Sequence, residues 1–103
     1  MATGRQRSNQ ATQADTAFQG GTTVSVGGTS TSVAAANPTR VEITITNDHA
    51  SQIVYLKLAA AAAELNKGIR LNAAGGSYTT RAYTGEIRAI ASGAATGVLV
   101  VEV

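Results

Sequence analysis

The chain carries one histidine, His49, in the polar stretch Asn47-Asp48-His49-Ala50-Ser51. Histidine beside aspartate and serine is the set that general-base and nucleophilic chemistry uses. Triads are defined by geometry rather than spacing, so a small hydrolase built on Asp48, His49 and a serine is one reading. No Gly-x-Ser-x-Gly elbow surrounds any serine, and a solvated or locally hydrogen-bonded imidazole in a turn is the plainer account. With one histidine and no cysteine, a metal site would have to be built from carboxylates. Asp48, Glu64, Glu86 and Glu102 show no calcium-loop spacing. A glycosidase needs two carboxyl groups facing each other, roughly 5–9.5 Å apart. Glu42, Glu86 and Glu102 instead stand beside inward apolar residues on predicted strands, and should face solvent or an interface. The expectation is therefore no catalytic residue, no metal and no cofactor.

Two glycine pairs could cradle phosphate, Gly27-Gly28-Thr29 and Gly75-Gly76-Ser77. Neither has the lysine-hydroxyl ending or the following helix that makes such a loop specific, so both are read as turns. Arg40, Arg70 and Arg88 lie on predicted strands, where cross-strand pairs with the three glutamates are the economical explanation. Tyr55, Tyr78 and Tyr83 join a large apolar body to a polar tip. That combination is enriched at interfaces; the plainer alternative is that one or two of them cap the core.

The elements that must position these groups are strands. In Arg40–Leu58, Val41, Ile43 and Ile45 alternate with Glu42, Thr44 and Thr46. Val54, Leu56 and Leu58 then alternate with Ile53, Tyr55 and Lys57. A period of two predicts half-buried strands, and the polar Asn47–Ser51 insert predicts a hairpin between them. Upstream, Gly20–Asn37 is rich in Gly, Thr, Ser and Val and reads as two short strands or extended arms, with Asn37-Pro38 as a boundary. The five alanines from Ala59 to Ala63 predict one or two helical turns stopped near Gly68, or a tightly packed connection. Gly68–Asn72, Tyr78–Tyr83, Glu86–Ala91 and Thr96–Val103 read as further strands. The last, long and apolar, should be central or paired across an interface, because a bare edge of that composition invites aggregation. The fold predicted is all-β: a small antiparallel sandwich or barrel. It comprises an extended N-terminal arm over 1–36, a compact domain over 37–103, and at most one short helical turn near the alanine run.

Composition narrows the function classes. The 103 residues make one domain with an arm, and only 14% are charged against about 25% in a typical soluble domain. The eight basic residues are scattered rather than clustered with aromatics, which argues against nucleic acid. No apolar run approaches the length of a membrane span, and residues 1–20 lack the apolar centre of a secretion signal. Synthesis in the cytosol, without membrane association, is the expectation. A surface this low in charge fits one covered by neighbours. Within the leader, Phe18 is the one large apolar group, with Arg5 and Arg7 near the start.

From Arg40 to Val103 the chain resembles small virion proteins of tailed bacteriophages. The likeness lies in Arg40-Val41-Glu42-Ile43-Thr44-Ile45-Thr46-Asn47, Val54-Tyr55-Leu56 and Gly68-Ile69-Arg70-Leu71. It continues in Gly76-Ser77, Gly85-Glu86-Ile87-Arg88-Ala89-Ile90 and the closing Val98–Val103 with Glu102. These are β-framework features, not a chemical signature. The resemblance implies a non-enzymatic capsid decoration (cement) protein, placed on the virion after synthesis in the host cytoplasm. Such a protein contacts the major capsid protein or a tail component and is homo-oligomeric, with a trimer favoured. The alternative it implies is a tail- or fibre-associated adaptor or glycan-binding module. In this picture Arg5, Arg7 and Phe18 anchor the arm, and Tyr55, Tyr78 and Tyr83 pack at the contacts.

Overall fold

The computed structural model describes residues 21–93 and 96–103. Eight strands follow in order: β1 (Thr22–Val26), β2 (Thr31–Ala34), β3 (Ile43–Asn47), β4 (Val54–Lys57), β5 (Ile69–Leu71), β6 (Ser77–Thr80), β7 (Ile87–Ala91) and β8 (Thr96–Glu102). They form two four-stranded antiparallel sheets, ordered β1-β8-β3-β6 and β2-β7-β4-β5. This interleaving, in which the chain crosses from sheet to sheet at most connections, is the jelly-roll order. The all-β sandwich read from the sequence is the fold observed.

The alternation within strands places the core between the sheets. Val26, Ile43, Ile45, Val54, Leu56, Leu71, Ile87, Ala89, Ala91, Val98 and Val100 form one buried cluster, with Ile69, Leu58, Tyr78 and Tyr83 packed against it. The apolar closing strand is central, as its composition required: β8 lies between β1 and β3.

Three expectations are corrected, and one pair of alternatives is decided. Arg40–Leu58 is not a hairpin, because β3 pairs with β6 and β8 whereas β4 pairs with β5 and β7. Residues 48–53 carry the chain from one sheet to the other, and both edges of β3 are already taken. Val41 is not inward; it is 64% exposed, since the turn closed by the Arg40 amide on the Asn37 carbonyl (3.0 Å) ends just before it. Of the two forms expected for the alanine run, the structure has the second, an irregular connection without a helical turn. The arm does not extend to residue 36: β1 and β2 belong to the sandwich, which therefore begins before residue 37. The expectations for Arg5, Arg7 and Phe18 lie outside the described residues.

The connection 58–68 folds over the outer face of the β2-β7-β4-β5 sheet. Tyr55 and Ile90, neighbours in the β4–β7 register, point outward there and are buried with Ala63 and the partly buried Ile53. Ser30 Oγ accepts from the Ala63 amide (2.8 Å) and from Arg88 Nε (3.0 Å), and Lys57 Nζ donates to the Ala62 carbonyl (3.3 Å). Small side chains let this loop lie flat on the sheet, and Gly68 brings it back. Its φ is +85°, and a Cβ there would stand 2.2 Å from the Leu56 carbonyl oxygen.

Candidate interaction surface

The structure disperses the tyrosines. Tyr55 is 7% exposed, and its hydroxyl donates to Asn66 Oδ1 (3.0 Å) under the alanine connection. Tyr78 lies opposite Ile45 and packs inward on the core. Tyr83 is half-buried, its hydroxyl donating to the Glu86 carbonyl (2.8 Å). None forms an open aromatic platform; each holds the chain's own elements together.

Charged side chains are likewise tied down. Arg40, with a side chain 1% exposed, donates from Nε to Glu102 (2.6 Å) and from Nη1 to the Tyr83 and Gly85 carbonyls (3.2 and 3.0 Å). Its Nη2 donates to the Ala35 carbonyl (2.8 Å). One guanidinium thus joins the segments before β3, before β7 and at the end of β8. Glu42 pairs with Arg81, and Glu86 pairs with Arg88 (3.0 Å). The cross-strand pairing inferred from sequence holds for Arg40–Glu102, whereas Arg70 donates to Asn72 Oδ1 (2.9 Å) instead of to a glutamate. Each of the three strand glutamates faces an arginine.

His49 serves its own loop. Its Nδ1 accepts from the Ser51 and Gln52 amides, both at 3.0 Å, and its amide donates to Asn47 Oδ1 (3.1 Å). Asn47 is fully buried and donates through Nδ2 to the Gln52 and Leu71 carbonyls (2.7 and 3.1 Å). With Nδ1 accepting, the neutral ring carries its proton on Nε2, so that nitrogen is not the free base a triad needs. Among the described residues no three His, Cys, Asp or Glu side chains gather as metal ligands.

The outer face of the β1-β8-β3-β6 sheet is partly open, with Thr23, Ser77 and Thr79 exposed on it. The register sets Thr23, Leu99, Thr46 and Ser77 in one row, and Val101, Thr44 and Thr79 in the next. Thr44 and Thr79 hydroxyls are hydrogen-bonded across the strands at 2.8 Å. Of its apolar residues Leu99 is partly exposed and Val101 is buried, so what the face offers is mainly hydroxyl, with no charge. The Glu42–Arg81 pair lies beyond its Thr44–Thr79 end, each residue two positions along the chain from those threonines and just outside β3 and β6. The other sheet's outer face is covered by the alanine connection; among the described residues no segment covers this one. Sequence reading passed over it, having sorted Thr44 and Thr46 merely as the wet side of a strand. The signal was that, after Glu42, the alternate positions Thr44 and Thr46 carry hydroxyls and no charge.

No family model matches the chain, and no curated protein or solved structure matches it either.

Proposed function

We propose that this chain is a structural virion protein of the capsid decoration type, which binds an assembled capsid lattice and stabilises it. The observation that carries the reading is the uncharged outer face of the β1-β8-β3-β6 sheet, where the partly exposed Leu99 stands among threonine and serine hydroxyls. A flat face of that composition loses little on desolvation, because it has no charge to strip of water, and its hydroxyls can pair with a partner's backbone or side chains. The jelly-roll order adds support by analogy of architecture alone: viral capsid proteins use it, as do lectins and cupins. In this proposal residues 1–20 add a second attachment, so that two weak contacts act together, and binding to the assembled lattice alone favours that state.

The glycan-binding alternative is less well supported, since the three tyrosines are packed into the domain instead of exposed as a stacking platform. The test is binding of purified protein to undecorated particles, read by co-sedimentation. Thr46→Arg on the open face should abolish binding while leaving the far-UV circular dichroism unchanged, and deletion of residues 2–20 should weaken it strongly. Unchanged occupancy of the Thr46→Arg protein would overturn the assignment of this face. A handful of copies per native particle, instead of numbers matching the capsid subunits, would favour the tail-associated alternative.

A further inference from the structure

The two sides of the sandwich are finished differently. On one side the edge strands are β5 and β6, with Arg70 exposed on β5 and Arg81 exposed just after β6. Charged residues on an edge are the ordinary device for keeping a sheet from pairing with another. On the other side the edges are β1 and β2, within a stretch from Thr16 to Thr39 that holds no charged residue. β2 is blunted by a register break between Ser32 and Ala34. β1 is not: it pairs with β8 in unbroken register over its five residues, and among the described residues no strand lies along its outer edge. Alternate residues of such an edge turn both N–H and C=O outward. Beside it runs a groove of about 470 Å³ lined by Gly21, Thr22, Val33, Ala34 and Val100 among others.

The geometry points to a second copy of this chain as the occupant, its β1 running antiparallel to the first across a two-fold axis at Val24. The sequence of β1 is self-complementary in that arrangement. Val24 meets Val24 of the copy, Thr23 meets Ser25, and Thr22 meets Val26. Thr22, Val24 and Val26 share the inward side with Val100, Val98 and Thr96, so both copies keep their faces. Hydroxyls meet at Thr23 and Ser25, apolar groups meet at Val24, and Thr22 can set its methyl against Val26; no charge is stranded, and the two four-stranded sheets become one of eight. A charged partner strand would find no counter-charge here. The contact is isologous, so it yields a pair where the sequence resemblance implies a trimer. It is independent of the virion reading and lies on the sheet's edge instead of its face. Five residues bury less than the roughly 1,000 Å² of a stable interface, so the pair should exchange quickly.

Sedimentation of the full chain over a wide concentration range tests this. The wild type should show a reversible two-copy species. Thr23 and Ser25 are exposed, so charges there leave the fold intact, as circular dichroism will verify. The double variant T23K/S25K sets lysine opposite lysine twice and should raise the dissociation constant at least about tenfold. T23K/S25E sets lysine opposite glutamate at the same two places and should restore pairing. A chain monomeric throughout, a three-copy species, or a pair equally stable in T23K/S25K would each overturn the proposal, as would a failure of T23K/S25E to pair.

Discussion

Arg40 shows how much one side chain can join. A buried guanidinium is tolerable only when its donors are met, and here a carboxylate and three carbonyls meet them. Replacing it with methionine strands those carbonyls and leaves Glu102 without its cation, which should cost about 3 kcal/mol or more. Arg40→Lys should recover only part, because an ammonium lacks the planar fork that reaches three segments at once. Urea midpoints at constant slope would measure both; a midpoint unchanged in Arg40→Met would mean that the fork contributes nothing net. At His49 the prediction is spectroscopic. The two amide bonds to Nδ1 require the Nε2–H tautomer, which ring nitrogen shifts report directly, and a protonated Nδ1 in the neutral ring would refute the loop geometry. The local partners of Asn47 and His49 were legible from sequence, since turn-forming side chains bond backbone a few residues away. The burial of Arg40 was not: three of its four partners lie 43 to 62 positions along the chain, and nothing in the local pattern names them.

The alanine connection carries the argument at the level of the element. Helix propensity favoured a turn of helix, yet the segment is short, and its energy comes from laying Ala63 on Tyr55 and Ile90 instead of from its own backbone bonds. Position should therefore matter more than composition. Ala61 is exposed, and Ala61→Lys should change stability by less than about 0.5 kcal/mol. Ala63 is 4% exposed, and Ala63→Asp, burying a carboxylate among apolar groups, should cost more than about 2 kcal/mol. Gly68→Ala should cost about 2–3 kcal/mol, from a φ that side chains avoid together with the clash on the Leu56 carbonyl. Thermal or denaturant unfolding of the three proteins gives the ranking, and equal costs at Ala61 and Ala63 would refute the seating of this loop on the sheet. Strand faces were readable throughout from the period of two. Strand partners were not, which is why β3 and β4, consecutive and both amphipathic, looked like a hairpin while belonging to different sheets.

For the whole molecule, the decisive feature is that the last strand sits in the middle. β8 pairs with β1, some 75 residues earlier, and with β3, and it supplies Val98 and Val100 to the core and Glu102 to Arg40. Until those residues arrive, β1 has no partner, β3 has one free side, and the guanidinium of Arg40 has no carboxylate. Nearly all the closure entropy of such an interleaved topology is lost before the packing that repays it can form. Two consequences follow for one experiment. The full chain should refold in a single phase in the millisecond-to-second range typical of non-local β sandwiches, seen by stopped-flow tyrosine fluorescence, since Tyr55 becomes buried and the chain has no tryptophan. A chain ending at Ala91 should not fold cooperatively at all, although it keeps seven of the eight strands. Its amide spectrum should be collapsed and its urea transition absent. Native-like dispersion in that shortened chain would show that the β2-β7-β4-β5 sheet and its alanine cover stand alone, and that the sandwich assembles from a preformed half.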